Sequence, residues 1–411
     1  MADTKHEGLM SLLDNDLYKF TMQYVVFKHY KDISVVYQFT NRDKNLQLNS
    51  EAAEWLGKQV KGMGHLKLTE SEREYMSRLE FLDADYVDYL AQFQYKPEEQ
   101  VFMNYDEATG DLELEVRGNW LETILYEVPL LALISEAYFR YTDRDWNYDN
   151  QAENAAKKTQ ELLKHGCTFS EFGTRRRRDF KTHDLVMCEI NEQYKRSVAA
   201  NQSSKGNCAG TSNVLLAMKY GVKPIGTVAH EFFMAISALN GVKHANRDTL
   251  NIWYDVYKGN LGIALTDTFT TPIFLKDFDH NLASKYAGVR QDSGNASEFI
   301  QTMVAHYKSL GIDPSTKTIV FSDSLNVERA INLQDQALKA GINASFGIGT
   351  FLTNDFQKAS DKNVKSKALN IVIKLKECHG KRVIKLSDDS LKHSADQATI
   401  LAFKKELGID N

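Results

Sequence analysis

The stretch TIVFSDSLNVERAINLQDQALKAGINASFGIGT, residues 318–350, decides the fold class. It opens on a short apolar run, TIVF, that breaks at the polar Ser322–Asp323–Ser324. The next segment, SLNVERAINLQDQALKAG, reads as a helix that stops at Gly341, a residue suited to the left-handed backbone of a helix end. A second apolar run, NASFGIG, then turns on glycine. A helix between two short apolar runs predicts parallel strands with a helical crossover.

The same alternation extends through the C-terminal two thirds of the chain. Candidate strands are CTFSEF, KGNCAG, PIGTVAH, LGIALTD, YAGVRQDS, TIVFSDS, NASFGIG and NIVIKL, and TSNVLLAMKYG and ASEFIQTMVAHYKSLG read as intervening helices. Eight such strands predict a parallel α/β barrel. An open doubly wound sheet is the alternative, because sequence carries no strand order. Glu171, His230, Asp267, Arg290, Asp323 and Gly347 fall at or just beyond the C-terminal ends of these runs, which a barrel would gather at one mouth.

The N-terminal part has a different character. Leu12 to His29 reads as helix, ISVVYQFTNR as extended chain, and residues 50–93 as helix-prone. VFMNYDEATGDLELEVRG reads as a hairpin around Ala108–Gly110, and NWLETILYEVPLLALISEAYFRY as a buried helix despite Pro129. The expected organisation is a small mixed α/β domain over 1–120 and a barrel-like domain over 121–377. Residues 378–411 are expected to return to the small domain. KRVIKLSDDS at 381–390 is read as that return and not as a donor-binding centre, since Lys385 interrupts its apolar run.

Composition excludes several classes. The 411 residues are 43% hydrophobic and 26% charged, with a net charge of −5, so neither disorder nor a broad nucleic-acid surface is implied. The longest apolar stretch, VPLLALIS, is too short to cross a bilayer, and the first residues lack a secretory pattern. Cys167, Cys188, Cys208 and Cys378 form no CxxC pair, which argues against structural zinc or a disulfide scaffold. The expectation is a cytoplasmic protein, with nuclear access left open.

EFGTRRRRDF at 171–180 places four arginines after a strand candidate. Arg175, directly after the turn, is best placed to grip a carboxylate or phosphate, whereas Arg176, Arg177 and Arg178 read equally well as a solvated charge cluster. GTVAHEF at 226–232 delivers His230 to the end of its run, where an imidazole can act as a base or accept a phosphoryl group; a satisfied structural histidine is the bland alternative. HEFFM lacks the second histidine of a zinc-protease HExxH. YAGVRQDSG brings Arg290 and Asp292, able either to bind an anionic substrate, ribose or a metal, or to pair with each other. Asp267 offers the same chemistry or a helix N-cap, and Asp323 is equally ambiguous. At 343–350, Gly347 and Gly349 permit close backbone approach to a phosphate, with Thr350 adding a hydroxyl. LLDNDLYKFTM places Asp14, Asp16, Tyr18 and Thr21 together, as an exposed acidic turn or as part of a closing surface.

Taken in order, LLDNDLYKFTM, EFGTRRR, GTSNVLLA, GTVAHEF, ALTDTF, GVRQDSG, IVFSDSL and FGIGT resemble the nicotinate phosphoribosyltransferase family, most closely its fungal-like version. The resemblance implies an irregular TIM-like α/β barrel with a smaller domain. It implies formation of nicotinate mononucleotide and diphosphate from nicotinate and 5-phosphoribosyl 1-diphosphate, coupled to ATP hydrolysis, with Mg2+. It further implies phosphorylation of His230, nicotinate binding by Tyr18, Thr227 and Arg290, and donor contact by Thr350. Homodimeric and monomeric relatives leave the oligomeric state open. Nicotinamide phosphoribosyltransferase, a quinolinate-using pyrophosphorylase and a noncatalytic nucleotide sensor are the competing readings.

Overall fold

The computed structural model describes residues 7–200, 206–389 and 397–409. Two main sheets organise it. The first is antiparallel, built from β1 (Ser34–Asn41), β2 (Val101–Tyr105), β3 (Leu112–Asn119), β12 (Ile371–Cys378) and β13 (Lys381–Arg382), in the order β13-β12-β1-β3-β2. The second is parallel, built from β4 (Thr168–Glu171), β5 (Asn207–Thr211), β6 (Ile263–Leu265), β7 (Gly288–Gln291), β8 (Thr318–Phe321) and β9 (Asn343–Ile348), in the order β5-β4-β9-β8-β7-β6. A small clip, β10 (Phe356–Gln357) with β11 (Lys365–Ser366), lies between β9 and β12 in the chain.

The parallel α/β expectation is met, with two changes. NIVIKL does not join the parallel strands: its residues 371–375 pair antiparallel with β1, Ile371 opposite Asn41 and Leu375 opposite Tyr37. In β12, Lys374 and Lys376 face away from the buried Ile373 and Leu375, the alternation of an antiparallel strand with one more fully covered face. PIGTVAH forms no strand; one bridge joins Pro224 to Thr211, and the chain then runs irregularly to His230. Among the described residues the ladder is therefore six strands long and does not close between β5 and β6.

Local chemistry explains the crossovers. The helix Val327–Ala340 starts at Asn326, whose side chain accepts from Arg329 N, and ends at Gly341 with φ +77°, as expected. The helix Ala296–Ser309 is capped by Asn295, which accepts from Ser297 N and Glu298 N. Each cap satisfies amides that the helix cannot pair internally. The first helix starts at Leu17 and not Leu12, because residues 12–16 form a buried turn against the parallel sheet: Leu17 N donates to Ser212 O and Val214 N to Asn15 O. Glu127–Ala137 is the expected buried helix, with Pro129 in its first turn, where its missing N–H breaks no helical bond.

Parallel register aligns the strand ends on one edge. Glu171 stands opposite both Thr211 and Ile348, Phe321 opposite Phe346 and Gln291, and Leu265 opposite Arg290.

Candidate functional site

His230 opens the helix His230–Asn240, whose Phe232, Phe233 and Ile236 are buried. The buried run anchors this helix while its first turn stays at the strand ends. His230 Nε2 lies 2.8 Å from Asp267 Oδ1 and 3.7 Å from Asp292 Oδ2. Asp267 therefore serves the histidine and is not a helix N-cap, a position that Thr270 takes for the helix Thr271–Asp277. Its second oxygen accepts from Ser293 Oγ at 2.6 Å and meets Lys385 Nζ at 3.0 Å.

Lys385 belongs to the segment that sequence reasoning set aside. After β13 the chain turns back to the strand ends, where Leu386 N donates to Thr268 O and Ser387 Oγ to Ser293 Oγ. Asp388 then accepts from Thr271 N at 2.7 Å and from Thr271 Oγ1 at 2.6 Å. Ser390 lies outside the described residues. The signal that would have found Lys385 is the polar SDD following it, the same pattern that ends β7 and β8.

Arg290 and Asp292 are brought together at 3.0 Å, and Ser322 Oγ joins them, accepting from Arg290 Nε at 2.9 Å and donating to Asp292 Oδ1 at 2.7 Å. The internal pair and the pocket position thus coexist. Burial disfavours ionised Asp292, but Arg290, Lys385 and His230 outweigh it and hold the carboxyl well below the usual range. For His230, burial and then Lys385 favour the neutral ring and prevail over Asp267, so its pKa is lowered.

His230, Asp267 and Asp292 each offer one ligand atom within 4.8 Å of the others, a spacing able to hold a metal. Lys385, 3.0 Å from Asp267 and 3.6 Å from Asp292, already supplies positive charge there. A divalent ion fits this set only with Lys385 displaced.

A second network holds the half-buried Tyr18 and Arg175. Tyr18 Oη is 3.5 Å from Glu127 Oε2, and Arg175 Nη1 is 3.6 Å from Glu127 Oε1. Lys19 bridges Glu127, at 2.6 Å, to Glu231, the residue after His230. Burial opposes the charge on Lys19, but Glu127 and Glu231 outweigh it and raise the pKa. Glu231 also accepts from Tyr37 Oη and from Trp120 Nε1, the latter at 2.8 Å. Thr227 is buried, its hydroxyl donating to Val228 O, and the neighbouring Gly226 lies so close to the first helix that a Cβ would stand 2.9 Å from Tyr18 N.

The solvated reading of the arginine cluster is overturned. Arg177 is fully buried and forms a bidentate pair with Asp14, both bonds 2.7 Å. Arg178 is fully buried, donating to Ser366 Oγ and Ser366 O and lying 3.5 Å from the centre of the Phe139 ring. Arg176 Nε donates to Ile371 O at 2.9 Å. The exposed-turn reading of Asp14 and Asp16 fails with it: both are buried, and Asp16 accepts from Ser212 Oγ.

Thr350 follows β9 on the same sheet edge and opens a four-residue helix. The closeness that Gly347 and Gly349 permit is used by the protein itself, since a Cβ would meet the Phe172 ring at 2.8 Å from Gly347 and Phe172 O at 2.8 Å from Gly349. Thr353 Oγ1 donates to Gly173 O and Asn354 Nδ2 to Arg176 O, so the glycine turn and the arginine turn are stapled together. Asp323, half-buried, lies two residues beyond β8 and accepts from Ser324 Oγ. Direct contacts thus unite His230, Asp267, Asp292, Arg290 and Lys385, while Tyr18 and Arg175 join through Glu127. Thr227 and Thr350 share the edge without bonding to that cluster.

Two family models match the chain. Residues 13–135 match the nicotinate phosphoribosyltransferase N-terminal domain, and residues 167–411 the nicotinate phosphoribosyltransferase family. The nicotinate phosphoribosyltransferase of Saccharomyces cerevisiae is 46% identical over 411 residues, covering 97% of this chain and 95% of that protein. That of Methanosarcina mazei is 42% identical over 408 residues, covering 95% and 96%. A crystal structure of a Saccharomyces cerevisiae protein superposes with TM-score 0.93 at 44% identity, covering 98% of this chain and 99% of that one. With strand-end groups, buried networks and full-length relatives in agreement, the chain belongs to the nicotinate phosphoribosyltransferase family, in its fungal-like form.

Proposed function

We infer that this chain joins nicotinate to 5-phosphoribosyl 1-diphosphate, forming nicotinate mononucleotide and diphosphate in NAD salvage, and that ATP hydrolysis through a phosphohistidine at His230 drives the reaction. The observation that carries this reading is the His230–Asp267 pair beside Arg290 and Asp292 at one strand edge. Asp267 accepts a hydrogen bond from Nε2–H, so the neutral ring presents its lone pair on Nδ1. Nδ1 attacks the γ-phosphorus of ATP, ADP leaves, and water later releases phosphate from the histidine.

In the transfer step the pyridine nitrogen bonds to C1 of the ribose as the C1–O bond to diphosphate breaks. Arg290 pairs with the nicotinate carboxylate, a contact that nicotinamide cannot return. Tyr18 stacks on the ring, with Thr227 and Arg175 at its edges. Gly347, Gly349 and Thr350 hold the ribose phosphate through backbone amides and a hydroxyl. Asp292 orients the ribose and is the carboxylate assigned to any Mg2+ that arrives with diphosphate or ATP. When bound, that ion neutralises charge on the phosphates.

In the same reading the six parallel strands and the irregular 224–229 segment form a TIM-like barrel interrupted at one wall. Residues 1–120 are assigned to the smaller domain and 121–377 to the barrel-like domain apart from β12; the 378–411 segment continues the return that begins in β12 only through β13, since Lys385–Asp388 reach the parallel-strand ends. Either a monomer or a homodimer accommodates this assignment. No helix among the described residues is long and apolar enough to cross a membrane, and residence in the cytoplasm suits the substrates.

Product analysis by mass, with nicotinate, 5-phosphoribosyl 1-diphosphate and Mg2+, with and without ATP, tests the reading. Nicotinate mononucleotide should appear and increase with ATP. Binding without product would favour a nucleotide sensor, and preferential use of nicotinamide in competition would assign the amide-using activity instead.

A further inference from the structure

Lys19 is fully enclosed, its ammonium shared by two carboxylates from different parts of the fold. Glu127, on one side, touches both Tyr18 and Arg175. Glu231, on the other, is covalently next to His230 and is pinned by Tyr37 of β1 and by Trp120. We propose that Lys19 is a positioning residue that transmits the phosphorylation state of His230 to the nicotinate pocket; this rests on the reading of His230 as phosphoryl acceptor.

Phosphorylation places about two negative charges beside the turn that carries Glu231. Glu231 cannot retreat, because a phenol and an indole from separate elements hold its other oxygen. The mobile charge is the ammonium, on its flexible four-carbon stem. Drawn toward the His230 turn, it loosens its hold on Glu127, which then settles against Arg175 and Tyr18 and resets the pocket. Buried Glu231 and partly buried Glu127 sharing one fully enclosed ammonium make the arrangement sensitive, since a small displacement alters the balance of both pairs where water screens them weakly. Coupling of this kind is reciprocal: nicotinate occupancy must alter the phosphorylation equilibrium by the same factor.

The test is equilibrium dialysis of radiolabelled nicotinate without phosphoribosyl donor, with and without ATP, alongside labelling of His230 from γ-labelled ATP. The wild type should bind nicotinate about fivefold or more differently with ATP. In Lys19→Met and Glu127→Gln that ratio should fall to about one while His230 is still labelled, and Lys19→Arg should restore part of it. Should Lys19→Met not fold, the near-isosteric Glu127→Gln decides the matter alone. A ratio retained in labelled Glu127→Gln overturns the proposal, and so does loss of labelling in that variant, which would make the network part of phosphoryl transfer itself. An unlabelled wild type instead removes the phosphohistidine reading, and the relay with it.

Discussion

His230 Nε2 and Asp267 Oδ1 lie 2.8 Å apart, and this contact fixes which ring nitrogen faces outward. With Nε2 committed to the carboxylate, phosphate can be accepted only at Nδ1. Incubation with γ-labelled ATP should give an acid-labile adduct on the wild type and none on His230→Ala, with little change in melting temperature because the imidazole lies at the site and outside the apolar core. Equal labelling of the two proteins would falsify the assignment.

Burial and Lys385 hold the His230 pKa below the imidazole value of about 6.5. The neutral, nucleophilic ring therefore predominates already at that pH, and labelling should decline only in more acid solution. Lys385→Met removes a positive charge that favours the neutral ring, so the His230 pKa should rise and the acid limb of the labelling profile move to higher pH. An unmoved limb, or one displaced downward, would show that Lys385 does not act on the histidine.

Arg290 is held by Ser322 and Asp292, which aim its guanidinium before any ligand arrives. Arg290→Gln should raise KM for nicotinate at least tenfold, a loss of about 1.4 kcal/mol or more expected of a charge-assisted contact. The KM for the phosphoribosyl donor should change much less. Equal losses on both substrates would argue against a selective carboxylate contact.

Asp14 and Arg177 form a fully buried bidentate pair. Burial pushes the Asp14 carboxyl upward, but Arg177 and Asn213 outweigh it and leave the pKa lowered. Its stabilising contribution is thus complete above the unfolded value of about 3.9 and is lost as pH falls through the lower folded value. Asp14→Asn should cost about 3–5 kcal/mol in denaturant unfolding at pH 7, because it strands a buried guanidinium. Removing both partners as Asp14→Leu with Arg177→Leu should cost less than the two single changes summed. Strict additivity would count against the pair as a unit.

Gly349→Ala would bring a Cβ to 2.8 Å from Phe172 O, a backbone atom that cannot rotate away. The turn should shift, destabilising the protein by about 1–3 kcal/mol and raising KM for the phosphoribosyl donor more than for nicotinate. Gly62→Ala, with nothing within 4 Å, is the matching control and should leave both constants unchanged.

The parallel strands were legible because each is a short apolar run ending in polar residues, and five of the eight candidates also preceded readable helices or turns. NIVIKL was misplaced because partner direction is not encoded in an apolar run, although Lys374 and Lys376 on alternate positions hinted at a half-covered strand. PIGTVAH was read as strand because it is rich in small and β-branched residues; its true form emerges from Phe232, Phe233 and Ile236, which bury a helix that begins at His230. The arginine cluster resisted reading for a different reason. Asp14 and Ser366, which make its burial tolerable, lie far away in sequence, and charge alone gave no sign of them. Lys385 was missed because a lysine inside an apolar run looks like an interruption until the fold supplies Asp267 as its partner.

From Gly226 to Ala229 the backbone belongs to no strand, although it carries Thr227 and leads directly into His230. Five strand junctions hold the neighbouring parallel sheet through its ladder, whereas this corner is held by packing alone, with Thr227 and Val228 buried. The backbone that leads into His230 thus lies outside the sheet ladder, and amide hydrogens at 226–229 should exchange with deuterium well before those of β7 or β8.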